Sequence, residues 1–266
     1  MIFICKKNLY LYLTKIKAIL SLAFYNLIFF NKNVEEQQCL YHYPICPFCR
    51  KIRFMLALND VKNCSLRIEN FWEKREKFCS INPTGEVPFF AIQQTEFEEK
   101  RSVLIWGQNS IMEYLRQKYP VDTLIFGDIE EQANINKYNE WFDTKFYNDA
   151  VKPLLEERVY VFYKKKRMAN TDVIKLARLN CEQHLRFIER ILRKRDYIAT
   201  NEFSLADLSC ACHISSLDYL GEIDWSSHEI LKNWYIIIKS KPAFRDILYD
   251  IIPDIRPASW YRELDY

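Results

Sequence analysis

The residues of this chain best suited to chemistry are the two cysteines of Cys46-Pro-Phe-Cys49. Proline is favoured at the first position of a helix, so Pro47 predicts that a helix begins there and that Cys46 lies at its N-terminus. Free backbone N–H groups and the helix dipole favour a thiolate at that end, and Arg50, Lys51 and Arg53 lie within four positions after Cys49. The sequence therefore predicts a place that could activate a sulfur or bind an anion.

The elements that would position Cys46 are short strands and helices in the order βαβαββα. Alternating apolar residues mark the strands, and apolar residues every three or four positions mark the helices. Two parallel strands around the first helix, followed by a hairpin and a last helix, indicate a thioredoxin-like α/β domain of residues 37–120. The predicted strands are 39–43, 61–71, 89–92 and 102–106, and the predicted helices or turns are 47–58, 73–79 and 111–119, the last stopping at Pro120.

From about residue 129 the sequence shows helical periodicity and no strand pattern, which predicts an all-α bundle over residues 129–252. Thr171 is predicted to cap one helix, and Ser204-Leu-Ala-Asp207 is a variant of the capping box that begins another. The predicted helices run from 130 towards 166, from 171 to 192, from 204 onward, and over 229–239 and 242–251. Because Pro253 and Pro257 oppose a helix, residues 253–266 are predicted to form an extended tail.

Composition indicates a folded protein without a general affinity for nucleic acid. Of the 266 residues 49% are hydrophobic, enough for packed cores, and four are glycine, too few for a glycine-rich phosphate loop. Nine cysteines, an odd number at irregular spacing, indicate reduced thiols in the cytoplasm. The net charge of +3 resides in residues 1–36, with five lysines and two glutamates, so the rest is neutral. The four histidines lack metal-ligand spacing, and no metal site is predicted.

Residues 1–36 form an apolar segment with scattered lysines, which stands outside the predicted fold. Its longest uncharged run, Ala18–Asn31, is shorter than the roughly 20 residues that a membrane-spanning helix needs. Three interpretations remain open: an upstream extension without function, an interfacial or short membrane anchor, and a secretion signal. Contact with a membrane is predicted only if this segment belongs to the protein and inserts.

Four motifs, in their order along the chain, resemble those of the glutathione S-transferase superfamily. They are the Cys-Pro-Phe-Cys helix start, Asn82-Pro-Thr-Gly-Glu-Val-Pro88, Asn109-Ser110 opening a helix, and Phe203-Ser-Leu-Ala-Asp207. The resemblance covers about residues 38–252. It implies the fold of that superfamily, an α/β thioredoxin-like N-terminal domain followed by an all-α helical-bundle C-terminal domain.

The C-terminal part of the chain resembles one particular branch of the superfamily. Residues 218–225, 231–235, 239–244 and 257–266 resemble a bacterial cell-division branch of the superfamily whose members bind the tubulin homologue FtsZ. This implies a cytoplasmic homodimer at the division site that regulates FtsZ filaments without enzymatic chemistry or a cofactor. The alternative is a glutathione transferase or glutaredoxin-like thiol transferase that uses Cys46, with glutathione as a weakly bound substrate.

The superfamily resemblance also implies where glutathione would bind. The residue before a cis-proline pairs its backbone with the cysteinyl part of glutathione, and Val87 and Pro88 stand there. Asn109-Ser110 stand where transferases usually offer an acidic residue followed by serine. Ser110 and the helix N-terminus could receive a carboxylate, but Asn109 has no charge for the ammonium group and offers only a weaker neutral bond.

Cys46 has two interpretations within this resemblance. As a reactive thiol it would form a mixed disulfide with glutathione, and Cys49 would resolve that disulfide. Alternatively, both cysteines are small residues without a chemical role. The absence of an acidic residue before Ser110 favours this second interpretation.

Aromatic residues near the cleft and in the tail are candidates for contact with a protein partner. Trp72 follows a strand and has basic neighbours, and tryptophan and arginine are enriched at binding hot spots, although Trp72 could equally pack between the domains. The tail is too aromatic for an unused segment, so it either folds back over the second domain or contacts a partner. Its candidate residues are Trp260, Tyr261 and Asp265.

Overall fold

The computed structural model describes residues 35–96, 99–119, 124–164 and 167–264. Within these residues, four strands form one sheet in the spatial order β2-β1-β3-β4. β1 and β2 run parallel, with Gln38 opposite Cys64 and His42 opposite Ile68. This arrangement confirms the predicted thioredoxin-like α/β fold. The strands are β1 (Glu35–His42), β2 (Cys64–Ile68), β3 (Phe89–Glu96) and β4 (Glu99–Trp106).

Three helices accompany the sheet in this part of the structure: α1 (Pro47–Leu58), α2 (Glu76–Cys79) and α3 (Gln108–Lys118). Their order along the chain agrees with the prediction, but several boundaries differ. β1 begins at Glu35 and not at residue 39, and α3 begins at Gln108 and not at residue 111. The strand predicted over 61–71 is shorter, Cys64–Ile68, and a 3-10 turn follows at Phe71–Glu73.

The remainder of the described chain is helical, which confirms the all-α prediction. π-helical segments at Phe142–Val151 and Glu156–Tyr160 join the first three helices, so the helix is continuous from residue 129 to residue 164. Asn170, not Thr171, caps the next helix, because its side-chain oxygen accepts from the N–H groups of Asp172 and Val173. The helices are α4 (Ile129–Trp141), α5 (Lys152–Leu155), α6 (Val161–Lys164), α7 (Thr171–Leu192), α8 (Leu205–Tyr219), α9 (Glu229–Lys239) and α10 (Arg245–Leu248).

The chain divides into two compact units. The larger unit holds residues 38–91 and 104 onward, and α1 packs on α8 within it. Every residue of α8 is buried, so this helix forms the centre of the core. Of the residues that the structure describes, the smaller unit holds 35–37, 92–96 and 99–103, and there Gln94 donates to the carboxylate of Glu36 over 3.1 Å.

The N-terminal segment and several predicted helix ends lie outside the described residues. They are residues 1–34, Pro120 and Lys166. Among the helices that the structure does describe, none combines the length and the apolar character needed to cross a bilayer.

Candidate functional site

Cys46 is the N-cap residue of α1 and is 6% exposed, so the structure places it at the predicted helix start. Cys49 lies one turn further on in the same helix. Hydrogen bonding from its thiol, the N–H groups of the first turn and Arg50 lower the pKa of Cys46, although burial opposes them. Burial raises the pKa of Cys49 well above its usual value. Of the two sulfurs, Cys46 is therefore the one that can ionise.

The loop before β3 is held in a fixed shape ahead of the Val87–Pro88 peptide bond, which is cis. Asn82 is fully buried, and its side-chain amide donates to the carbonyl oxygen of Glu86 over 2.8 Å. The same side chain accepts from the hydroxyl of Thr84 over 2.8 Å. The loop thus presents half-buried Val87 and buried Pro88 as one rigid edge.

The N-terminus of α3 differs from the prediction. The N-cap is Gly107, at φ +82°, which has no side chain to offer a ligand, and the first turn contains no acidic residue. Asn109 and Ser110 are exposed inside that turn and do not precede it. The Gln108 amide donates to the Asn109 side-chain oxygen over 2.6 Å and to Asp143 over 2.9 Å. The first turn of α3 therefore offers backbone N–H groups to a carboxylate but carries no acidic side chain of its own for an ammonium group.

An aromatic cluster surrounds Trp72, which is half-buried. Its ring stacks on Tyr163 with centroids 5.1 Å apart and meets the edge of Tyr43 at 4.8 Å. Phe162, beside Tyr163 in the chain, is 56% exposed. We call Trp72, Phe162 and Tyr163 the Trp72 surface. Trp72 thus packs against its own chain on one side and faces solvent on the other, so both interpretations of this residue describe part of its environment.

The C-terminal segment folds back onto the helical part of the protein. Tyr261 is fully buried, and its hydroxyl donates to the carbonyl oxygen of Ile247 over 3.3 Å. The half-buried Trp260 donates from its indole N–H to Asp218 over 3.0 Å. The Tyr261 ring therefore packs within this chain, as in the first of the two alternatives that the sequence leaves open for the tail. Asp265 lies outside the described residues.

Arg50 joins the Cys46 helix to this segment. It is fully buried, donates to the carbonyl oxygen of Pro44 over 2.8 Å and to the hydroxyl of Ser215 over 2.9 Å. Its guanidinium carbon lies 5.9 Å from the ring centroids of both Tyr219 and Tyr261. These rings give the buried cation favourable cation–π contacts in place of water.

Sequence comparisons place these features among known proteins. The pattern of the glutathione S-transferase N-terminal domain matches residues 40–124, and that of the C-terminal domain matches residues 171–236. FtsZ-localized protein A of Caulobacter vibrioides is 30% identical over 233 residues, covering 88% of this chain and 100% of that protein. The chain belongs to the glutathione S-transferase superfamily.

Solved structures of other superfamily members agree with this assignment. A glutathione S-transferase from Rhodospirillum rubrum F11 is 33% identical with a TM-score of 0.78, and FzlA from C. crescentus is 30% identical with a TM-score of 0.80. Each comparison covers 86% of this chain and all of the other. This glutathione S-transferase superfamily member is thus similar both to proteins described as transferases and to a protein described by its association with FtsZ.

A buried polar cluster of this superfamily member was not predicted from its sequence. Lys51 donates to Asp143 over 2.5 Å and to Asn139 over 2.6 Å, and Asp143 accepts from Ser209 over 2.7 Å. His213 lies 3.2 Å from the same carboxylate. Burial alone would raise the pKa of Asp143, but Lys51 and His213 outweigh it and hold the pKa well below its usual range. The sequence signal was a set of polar residues within otherwise apolar helices.

The cluster also explains how the candidate glutathione-binding elements are connected. Asp143 accepts from Gln108 at the start of α3 and from Lys51 in α1, two residues after Cys49. The side chains of Gln108 and Lys51 are thereby committed to this cluster. The two elements that would flank a bound glutathione are held by one internal carboxylate.

Proposed function

We propose that this chain is a regulator of bacterial cell division that binds FtsZ filaments and uses the glutathione S-transferase fold without enzymatic chemistry. The observation that carries the proposal is its similarity to the full length of FtsZ-localized protein A. The site geometry supports it, because the first turn of α3 lacks the acidic group that would hold the ammonium of glutathione. Cytoplasmic localisation at the division site is part of the same proposal.

The Trp72 surface is the proposed anchor for FtsZ, together with Trp260. Trp72 is held in one orientation by Tyr163 and Tyr43, so little side-chain entropy remains to be lost on binding. Phe162 extends the exposed apolar area beside it. A rigid, half-exposed tryptophan is typical of an interface hot spot. Trp260 borders a surface groove of about 590 Å³, which gives a second place for a partner side chain.

Replacing Trp72 with alanine is expected to weaken co-sedimentation with FtsZ polymer by about tenfold or more, because a central aromatic anchor is lost. Trp106→Ala is the matched control, since Trp106 is also a partly exposed tryptophan, at 45%, on β4. Thermal unfolding of both variants would separate loss of binding from loss of structure. If the folded Trp72 variant pellets with FtsZ as the parent does, the proposed anchor is wrong; if the parent itself does not pellet, the proposed function is wrong.

A thiol transferase remains the second candidate, favoured by the place of Cys46 at the N-terminus of α1, where the N–H groups of the first turn help to lower its pKa. The Cys46 thiolate would attack a glutathione disulfide and release one glutathione thiolate, and Cys49 would then displace the second glutathione as a Cys46–Cys49 disulfide forms. Val87, Pro88, Asn109 and Ser110 are the residues proposed to hold glutathione in that case.

Cys46→Ala is expected to leave FtsZ co-sedimentation unchanged, since the proposed anchor does not include the sulfur. The test of the second candidate is Cys49→Ala, which would trap a mixed disulfide with glutathione if Cys46 reacts. Intact mass after incubation with glutathione disulfide measures that adduct. An adduct on the Cys49 variant that Cys46→Ala abolishes would establish the thiol chemistry and contradict the non-enzymatic part of the leading proposal.

A homodimer is proposed on the evidence of exposed apolar side chains along α7. Val173, Leu176 and Leu179 are 36%, 60% and 57% exposed and recur every three residues on this helix. Exposed apolar stripes of this kind mark protein interfaces. Light scattering that gives the mass of a single chain would rule the homodimer out.

A further inference from the structure

β2 is an edge strand that carries exposed apolar side chains. Within the residues that the structure describes, it pairs with β1 alone. Leu66 and Ile68 of this strand are 49% and 58% exposed. Large apolar side chains are ordinarily kept off an exposed sheet edge, because the backbone groups there can pair with another chain. β2 therefore combines a backbone edge open to pairing with an apolar surface.

The exposed side chains of β2 lie on the core face of the sheet. In the parallel ladder Leu66 stands opposite Leu40 and Ile68 opposite His42, and residues paired in this way point to the same face. Leu40 is fully buried and His42 is 4% exposed, so this face is covered over β1 but uncovered over β2. A further strand beside β2 would bury more of Leu66 and Ile68.

A cavity of about 360 Å³ adjoins this strand, and we call it the edge pocket. It lies between β2, the C-terminal half of α1 and residues 242–247, and all of its lining residues belong to the larger unit. None of them belongs to the Trp72 surface or to the C-terminal tail, so the pocket is a different place from the surface proposed for FtsZ. Its walls include the apolar side chains of Leu56, Val61, Leu66, Pro242 and Ile247.

The charged lining of the edge pocket is acidic. Arg53 is the cation among the lining residues, but it donates to both carboxylate oxygens of Asp250, over 2.9 and 2.7 Å, in a pair shielded from solvent. Asp60 pairs with Lys62 over 3.1 Å, and because these side chains are 80% and 81% exposed the ion pair is weak. Asp246 forms no ion pair with any residue that the structure describes. Two carboxylates of the pocket are thus available to a cation.

We propose that β2 pairs with an extended segment of a partner protein, which places a lysine or arginine side chain of that segment in the edge pocket. Main-chain hydrogen bonds to the edge strand supply affinity, and the pocket selects one side chain. A long basic side chain fits because its aliphatic stem can lie on the apolar walls, including Leu56 and Leu66. Its cationic end then reaches the carboxylates of Asp60 and Asp246.

β2 of a second copy of this chain does not provide such a side chain. Its residues on the pocket side are Cys64, Leu66 and Ile68, and none of them carries a positive charge. Arg67 lies on the other face of the strand, 5.3 Å from the Tyr41 ring centroid. The basic side chain therefore comes from another sequence. Residues 1–34 of this chain contain five lysines, and the experiment distinguishes them from a partner protein.

Fluorescence anisotropy of a labelled peptide with the full chain tests the proposal. The peptide has about nine residues that alternate valine with threonine, and one central arginine takes the place of a valine. We expect it to bind at least about tenfold more tightly than the same peptide with glutamate at that position, and this difference should shrink as salt is raised. Only one edge of an added strand faces β2. N-methylation of alternate peptide residues should therefore abolish binding in one register and spare it in the other.

Matched protein variants remove the two carboxylates while keeping the size of the side chains. Asp60→Asn with Asp246→Asn should weaken binding of the arginine peptide by about tenfold or more. Asparagine also tolerates the positive φ of residue 60, which is 50°. Asp172→Asn on α7 is the control, since Asp172 is 89% exposed and lies outside the edge pocket, and it should leave binding unchanged.

Several outcomes would overturn the proposal. Equal binding of the arginine and glutamate peptides, or unchanged binding by the folded double variant, would remove the role of the edge pocket. Equal binding of the two methylated registers would exclude strand pairing. A lower solution mass for Leu66→Glu than for the parent would assign the edge to a second copy. Stronger peptide binding after the five lysines of residues 1–34 are replaced by glutamine would assign it to the chain's own segment. None of these readouts uses FtsZ, so they are independent of the proposed function.

Discussion

Replacing Lys51 with methionine is expected to lower the free energy of unfolding by about 3–5 kcal/mol, because it leaves the Asp143 carboxylate buried without its cation. Lys51 and Asp143 have side chains only 1% and 6% exposed, so solvent cannot replace the lost contact. The damage extends to Asn139, which also accepts from the Lys51 ammonium. Denaturant unfolding at neutral pH measures the effect. Lys62→Met is the matched control, since Lys62 is 81% exposed and should change stability by less than about 0.5 kcal/mol.

Acid conditions give this prediction a second readout. The pKa of Asp143 is depressed in the folded protein, so its contribution is fully present above the unfolded pKa of about 4 and is lost as pH falls towards the folded pKa. In the Lys51 variant, burial is no longer opposed by the ammonium and raises the pKa of Asp143. The stability difference between parent and variant should therefore begin to shrink above pH 4, where the variant carboxyl takes up a proton. It should shrink further as pH falls below about 4 and the parent loses its ion pair. A difference that stays constant over that range would contradict the assigned role of the ion pair.

Tyr261→Ala is expected to destabilise the protein by about 3–5 kcal/mol, the usual cost of removing a large buried aromatic side chain. The substitution opens a cavity where the ring is fully buried and removes one of the two rings over Arg50. Tyr261→Phe keeps the ring and loses only the hydroxyl bond to Ile247, so it should cost about 1 kcal/mol. Thermal and denaturant unfolding of both variants separate the ring from the hydroxyl.

The control for this prediction is Tyr249→Ala, which removes a tyrosine that is 69% exposed. Its expected effect is below about 1 kcal/mol, because exposed side chains contribute little to stability. If Tyr261→Ala and Tyr249→Ala unfold alike, the C-terminal segment does not complete the core in solution, and Tyr261 would again be available to a partner.

Local sequence signals predicted the parts of the fold and site that depend on neighbouring residues. Pro47 predicted the start of α1 and thereby the position of Cys46, because proline favours the first helical position. Asp207 accepts from the backbone N–H and hydroxyl of Ser204, over 3.0 and 2.9 Å, as the capping-box pattern implied. Alternation and periodicity likewise predicted the order of strands and helices, although the boundaries shifted by a few residues.

The features that sequence reasoning missed depend on residues far apart in the chain or on the absence of a side chain. Lys51 and Asp143 are separated by 92 positions, and no local pattern pairs them. Gly107 gives no sequence signal as an N-cap, so the sequence predicts that Asn109-Ser110 opens α3, whereas the helix starts before these residues. The tail residues left two alternatives open, and only the packing of Tyr261 around Arg50 decides between them for that ring.

The position of Arg50 has a consequence for how the chain matures during synthesis. Arg50 stands early in the sequence and its guanidinium is buried in the folded protein. One of the two aromatic rings that contact it, that of Tyr261, is translated about 200 residues later. Domains ordinarily acquire structure from the N-terminus as they emerge from the ribosome. Here the thioredoxin-like half cannot finish burying this cation until the last helices and the residues beyond them have been made, so a nascent chain that stalls late would expose an incomplete interior to chaperones.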